Sequence, residues 1–136
     1  MSDEELLAAL DTTSLDPNAF HHRDHIRLAW LLLNRHSFAL ALGRFSEGLR
    51  RFAAAIGRPG LYHETITCAF VVLIHERMLS GQSWPGFEKA NADLFAWNPS
   101  VLDRFYTPET LASDRARQVF VMPDRVEASR APLQRL

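Results

Sequence analysis

The chain of 136 residues has 15 basic and 16 acidic side chains, a formal net charge of -1 and 47% hydrophobic residues. This length suits one domain with a single core. The balanced charge argues against nucleic acid as a partner, and no apolar run approaches the roughly 20 residues that span a membrane. A lone cysteine, Cys68, excludes an intrachain disulfide and, with an acidic N-terminus unlike a secretory signal, favours a cytoplasmic protein.

The first half of the chain has the signals of three helices. The segment 2–5 has the pattern of a capping box and predicts a short helix that reaches about residue 10. Asp16-Pro17 offers an N-cap followed by a proline, so the second helix is predicted over about 17–35. The third helix is predicted over about 37–56, where apolar residues recur at spacings of three and four.

The second half predicts shorter elements. Residues 57–60 contain two glycines and a proline and break the chain before a fourth helix, which is predicted over about 62–80. A fifth helix is predicted over about 83–97. Asn98-Pro99 and Thr107-Pro108 each combine an N-cap residue with a proline, so two further helix starts are expected there.

The C-terminal segment has a different character. Residues 119–124 have the only strand-like composition, but no partner strand is apparent, so we expect an extended strap. Residues 125–136 are polar and are predicted to be a tail. No internal repeat and no βαβ unit is present. The sequence therefore predicts an all-α, single-domain helical bundle over 1–124, with three or four longer helices and short C-terminal ones.

Two short segments contain four of the six histidines, and each begins an apolar helical run. They are residues 20–25 and 62–67. On a helix His22 and His25 share one face, which the apolar stripe continues, so this pair is expected to point inward and His21 to lie nearer the rim. A different helix register would make His21 the inward residue instead.

Packing of the two histidine helices against each other would add His63 to His22 and His25. Three neutral imidazoles with an open fourth position are typical of a catalytic metal site. Imidazole suits zinc, copper and iron alike, so the sequence does not select the metal. A divalent transition metal held by these three histidines is therefore the predicted cofactor.

The leading hypothesis is a small metal-dependent enzyme that acts on a small-molecule substrate. Glu64 is the expected general base, and Tyr62 and Thr67 are candidates for proton transfer beside it. An alternative is a non-catalytic binding or assembly module with structural histidines, which could form a homodimer. A third hypothesis is a metal-free lyase or isomerase in which His63 is the base and Tyr62 the acid. Arg115 and Arg117 could bind an anion, although solvated salt bridges are the commoner role of such side chains.

Five blocks of sequence carry a resemblance to other proteins. They are Phe20-x-His22-x-x-His25, Tyr62-His63-Glu64-Thr65-Ile66-Thr67, Phe105-Tyr106, Ala116-Arg117 and Pro123-Asp124. In these blocks the chain resembles an uncharacterised family of small all-helical bacterial proteins, and the resemblance covers most of its length. It implies no particular reaction, and it pairs the same two histidine segments.

Overall fold

The structure is a computed structural model that describes residues 1–125. Within that range the protein is all-α, as predicted, with eight α-helices, two 3₁₀ turns and no β-strand. The helices are α1 (Asp3–Asp11), α2 (His22–Arg35), α3 (Phe38–Ala55), α4 (Glu64–Arg77), α5 (Trp84–Ala90), α6 (Ala92–Phe95), α7 (Pro108–Ala112) and α8 (Asp114–Gln118). The 3₁₀ turns are Pro59–Leu61 and Val101–Arg104. No helix in 1–125 is both long and apolar enough to cross a membrane.

Helix α2 forms the centre of the domain. Every residue from Leu28 to Leu33 is buried, so this stretch is covered on all sides rather than along one stripe. The helices α1, α3, α4 and α6 supply this cover. Most of the polar residues of α2 lie in its first turns, and His22 and His25 are among them.

The start of α2 differs from the prediction. The helix begins at His22, not at Pro17, because Asp16 closes a turn before it. The side-chain carboxylate of Asp16 accepts a hydrogen bond from the backbone N–H of Asn18 at 2.9 Å. The backbone carbonyl of Asp16 accepts a hydrogen bond from the backbone N–H of Phe20, also at 2.9 Å. Asp16 therefore initiates a turn by the same side-chain chemistry that makes aspartate a good N-cap.

The helix predicted over 83–97 is two helices in the structure. Asn91 interrupts it with φ −129° and ψ 44°, and its side-chain amide donates to the carbonyl of Phe87 at 2.9 Å. The predicted start at Asn98-Pro99 is also shifted, because Ser100 caps the short 3₁₀ turn that follows. The predicted start at Thr107 is confirmed: its hydroxyl accepts the N–H of Thr110 at 3.3 Å.

An extended strap follows α8, as predicted. The buried Thr65 hydroxyl donates to the carbonyl of Val119 at 2.9 Å and accepts the N–H of Val121 at 3.1 Å. The Tyr106 hydroxyl donates to the carbonyl of Val121 at 2.8 Å. Side chains from α4 and from the C-terminal region therefore replace the missing partner strand for these backbone groups.

The predicted tail begins with a residue that is attached to the domain. The N–H of Arg125 donates to the carbonyl of Phe105 at 2.9 Å, and its guanidinium donates to that of Asp103 at 2.6 Å. The remainder of the predicted tail, 126–136, lies outside the described residues.

Helices α1 and α3 approach closely at Gly48. A Cβ atom at this position would overlap the side chain of Leu10, which is itself 1% exposed and has no room to move. Gly43 lies on the same helix, is exposed, and has nothing near the position of its absent Cβ. The two glycines thus occupy opposite environments in one helix.

We expect Gly48→Ala to lower the free energy of unfolding by about 1–3 kcal/mol through overpacking against Leu10. Gly43→Ala should raise it by about 1 kcal/mol, because alanine is the better helix former. Urea unfolding followed by circular dichroism measures both. Equal effects of the two substitutions would contradict the close contact between α1 and α3.

Candidate functional site

A cavity of about 660 Å³ lies between α2, α3 and α4, under the segment that joins α3 to α4. Its volume is in the range of small-molecule sites in proteins. Most of the lining is apolar, and its aromatic members are Phe20, Phe45, Phe52, Tyr62, Phe70 and Trp97. The polar side chains of the lining come from the two histidine segments and from two arginines.

Five of the six predicted site residues line this cavity. They are His22, His25, Tyr62, His63 and Thr67. Packing of α2 against α4 thus brings two segments some forty positions apart in the chain to one space. The sequence alone could not establish this convergence.

His22 has one hydrogen-bonded ring nitrogen, and the other has no partner among residues 1–125. Its Nε2 lies 2.9 Å from the carbonyl oxygen of Leu94, and because a carbonyl can only accept, Nε2 must carry the proton. The neutral ring therefore keeps a lone pair on Nδ1. Burial lowers the pKa of His22, while the hydrogen bond to Leu94 acts in the opposite direction. The ring packs against Phe70 and Trp97, with centroids 5.1 and 4.9 Å away.

His25 makes no hydrogen bond through its ring to residues 1–125. The ring stacks on Phe20 at a centroid distance of 4.2 Å, and Phe20 in turn meets the edge of Phe52 at 5.5 Å. Burial lowers the pKa of His25 to about 4, with a smaller contribution from the neighbouring His22. His25 is therefore a neutral imidazole at physiological pH.

The alternative between His21 and His22 is resolved by the start of α2. His21 is the exposed N-cap, and its backbone N–H donates to the carboxylate of Asp24 at 3.0 Å. Its side chain is not part of the cavity lining, whereas that of His22 is. The inward pair is His22 and His25, as the apolar stripe indicated.

His63 has a structural position that the metal prediction did not anticipate. It is the N-cap of α4: Nδ1 accepts the backbone N–H of Ile66 at 3.1 Å, and Nε2 donates to the carbonyl of Leu111 at 2.7 Å. Both nitrogens are therefore engaged, and no lone pair is left for a metal. The predicted set of His22, His25 and His63 needs correction at His63, and within residues 1–125 no three His, Cys, Asp or Glu side chains are grouped to hold a metal ion.

Glu64, the expected general base, lies outside the cavity lining. Its carboxylate accepts hydrogen bonds from the Tyr62 hydroxyl at 2.5 Å and the Arg50 guanidinium at 2.8 Å. The Cys68 thiol is 3.7 Å away. Glu64, the first residue of α4, therefore belongs to a cluster with Tyr62, Arg50 and Cys68 and does not face the cavity.

Tyr62 faces the cavity with its ring but not with its hydroxyl. Burial and the hydrogen bond to Glu64 raise the pKa of Tyr62 to about 12. The phenol therefore holds its proton too tightly to be an effective acid for a group in the cavity. The lyase or isomerase hypothesis, which needs Tyr62 as acid and His63 as base, does not match these contacts.

Thr67 and two arginines complete the polar lining. Thr67 is a buried residue, and its hydroxyl makes no hydrogen bond to residues 1–125, so it is available to a ligand. Arg58 lies between α3 and the first 3₁₀ turn, and Arg117 lies on α8. Nothing in the sequence pattern pointed to Arg58, and Arg117 was better explained by solvation, because a five-residue helix gives little periodicity to read.

Comparison with protein-family models, curated proteins and solved structures found no match for this chain. The class of the protein therefore follows from its own fold and site. It is an all-α domain with a partly open cavity that is lined by aromatic side chains and by two neutral imidazoles.

Acidification should destabilise the protein through His25. Its pKa is 6.5 in the unfolded chain and about 4 in the folded one, so below pH 6.5 the unfolded state binds the extra proton. The contribution of His25 to the free energy of unfolding is complete above pH 6.5 and is lost as the pH falls through 4, by an amount on the order of 3 kcal/mol in total. Urea unfolding between pH 7 and pH 5, above the range where most carboxylates titrate, should show about 2 kcal/mol of this loss.

In His25→Gln we expect a clearly smaller decrease over the same pH interval. His21→Gln, at the exposed neighbouring position, should keep the slope of the unmodified protein. His22 and Asp24, the charged or titratable groups that act on His25, remain in both variants. Identical slopes in the unmodified protein and in His25→Gln would contradict the buried, neutral state of this imidazole.

Proposed function

We propose that the protein binds a small, mostly apolar molecule in this cavity and accepts a hydrogen bond from it at His22 and His25. The observation that supports this function is the pair of neutral imidazoles, each with an unengaged ring nitrogen, in the wall of an aromatic cavity of about 660 Å³. Recognition of a ligand rather than a purely structural role explains both features together.

The size of the cavity is the first part of the argument. Protein interiors are packed to crystal-like density, with few voids larger than a water molecule. This cavity is partly open to solvent, so its aromatic wall faces water rather than other side chains. An apolar ligand that covered this wall would contribute about 25 cal/mol per Å² of apolar surface removed from water.

The protonation states are the second part of the argument. Burial lowers the pKa of both His22 and His25, so both rings are uncharged acceptors at neutral pH. A neutral acceptor in an apolar wall suits a neutral donor such as a hydroxyl group. The Thr67 hydroxyl lies in the same lining and offers a further polar contact.

We expect 4-propylphenol to bind about tenfold more tightly than propylbenzene, because one hydrogen bond to the ligand is worth roughly 1–1.5 kcal/mol. Isothermal titration calorimetry measures both affinities. His25→Leu should remove most of the difference, since it deletes an acceptor without breaking a hydrogen bond within residues 1–125.

His21→Leu makes the same chemical change at an exposed position and should leave the preference for the phenol intact. Melting temperatures of both variants establish that they are folded. Equal binding of the phenol and the hydrocarbon, or a preference that survives His25→Leu, would contradict the proposed role of the imidazoles.

A metal-dependent enzyme is the second candidate. Two histidines with open ring nitrogens in one cavity favour it, since His22 and His25 could supply two ligands to zinc, copper or iron. Water and substrate atoms would have to complete the coordination sphere. In this version of the hypothesis the metal activates water or polarises the substrate, and Glu64 has no part.

For that candidate we expect the untagged protein to take up about one metal ion per chain, with His25→Gln abolishing the uptake. His63→Asn should retain it, because asparagine can replace the N-cap and the His63 nitrogens are already engaged. Titration with zinc, copper and iron, read by elemental analysis, measures the uptake. Loss of metal in His63→Asn would instead support the original set of three histidines.

The alternative of a non-catalytic module with structural histidines describes His63 well. This residue caps α4 and ties it to the carbonyl of Leu111, next to α8. It does not describe His25, whose ring has no such partner among residues 1–125. The homodimer stays a prediction.

A further inference from the structure

We propose that the ligand of this cavity is a carboxylic acid, and that its carboxylate binds Arg58 and Arg117 at the mouth while its hydrogen-bond donor reaches the imidazoles of His22 and His25. This inference rests on the proposed function and adds the chemical class of the ligand. It comes from the charges in the lining, from the contacts of the two arginines and from the length of the cavity along α4.

The charge of the lining differs from that of the chain. The whole chain has nearly equal numbers of basic and acidic residues, 15 and 16. Among the described residues, however, two arginines and no aspartate or glutamate line the cavity. Because the three histidines of the lining are neutral or hydrogen-bonded to carbonyls, the arginines carry its charge. An anion is the ligand that complements such a wall.

The contacts and the location of these two arginines together distinguish them from the others. Within residues 1–125, six arginines form ion pairs with carboxylates, namely Arg23, Arg27, Arg35, Arg50, Arg77 and Arg104. The other six in that range form none, and of these only Arg58 and Arg117 line the cavity. A guanidinium without a carboxylate, at the edge of an apolar cavity, is suited to bind a carboxylate of the ligand through two parallel hydrogen bonds.

Arg117 is held in place by neutral groups. Its Nη1 donates to the carbonyl of Gly60 at 2.6 Å and lies 3.5 Å from that of Tyr62. These carbonyls orient the guanidinium across the segment between α3 and α4 without neutralising its charge. Arg117 is partly buried and Arg58 is exposed, so the charged end of the site is open to solvent. The cost of desolvating the guanidinium groups when a ligand binds is therefore modest.

The distance between the two polar ends limits the ligand. At one end, Arg117 contacts the carbonyl of Tyr62, the residue before His63. At the other end, the ring of His22 packs on Phe70. Seven residues of α4 separate His63 from Phe70, which corresponds to about 10 Å along the helix. The ligand therefore has a carboxylate and a hydroxyl group separated by a flat or slender apolar body, as in a hydroxyphenyl-substituted short-chain carboxylic acid.

The test compares three probes of almost identical shape: 3-(4-hydroxyphenyl)propanoate, its uncharged methyl ester and 4-propylphenol. We expect the acid to bind about tenfold more tightly than either neutral compound, since a hydrogen bond to a charged partner is worth more than a neutral one. Isothermal titration calorimetry at neutral pH measures the three affinities. Arg117→Gln should reduce the affinity for the acid to that of the ester and leave 4-propylphenol unchanged.

Arg115→Gln is the matched control, because Arg115 lies on the same helix, is exposed and does not line the cavity. It should leave all three affinities unchanged, while Arg58→Gln should weaken the acid alone. A melting temperature for each variant separates lost binding from lost folding, and Arg117→Lys, which keeps the charge, should bind the acid better than Arg117→Gln.

Equal affinities for the acid and 4-propylphenol, insensitive to Arg117→Gln, would overturn the carboxylate inference and leave the proposed function standing. Absence of binding for all three probes would overturn both. If Arg115→Gln weakens the binding of the acid as much as Arg117→Gln does, the effect is one of general surface charge. That result would also overturn the carboxylate inference.

Discussion

The complete burial of the middle of α2 is the constraint on which the rest of the structure depends. From Leu28 to Leu33 the helix has no face left for solvent, so α1, α3, α4 and α6 must surround it. The polar residues of α2 lie only at its two ends, outside this buried stretch. His22 and His25 lie there, and for this reason they face a space that the core does not fill.

The three cavity histidines show that residue type and location do not define a role. His63 satisfies both nitrogens with backbone groups and fastens the start of α4 to the chain beside α8. His22 satisfies one nitrogen and His25 neither within the described residues, although all three line the same cavity. The number of ring nitrogens that are already hydrogen-bonded, rather than closeness to the cavity, distinguishes the structural His63 from His22 and His25, which can bind a ligand.

The polar groups of the cavity are distributed in a way that suits an elongated guest. Neutral acceptors lie deep in the apolar wall, where an uncharged ring costs little to bury. The guanidinium groups lie at the solvent-facing end, where their hydration is partly retained. Between them, the aromatic side chains of α3 and α4, together with Phe20 and Trp97, supply contact area. This order of environments is the basis of the proposal that the ligand has two chemically different ends.

Local signals in the sequence were sufficient for much of the fold. Periodicity fixed α3 almost to the residue, and the cap at Thr107 placed α7, because both depend on near neighbours in the chain. The inward direction of His22 and His25 followed from the same stripe. The break at Asn91 and the turn at Asp16 were missed, since each residue type serves helix caps and turns equally well.

Only the tertiary structure decided what the site residues do. One ring nitrogen of His22 is hydrogen-bonded to the carbonyl of Leu94, 72 positions away in the chain. One ring nitrogen of His63 is hydrogen-bonded to the carbonyl of Leu111, 48 positions away. Arg117 reaches the cavity because α8 packs against α4. Sequence determined which side chains were present and which helix faces they shared. Packing decided which of their donors and acceptors remained for a ligand, because that depends on contacts between segments with no pattern in common.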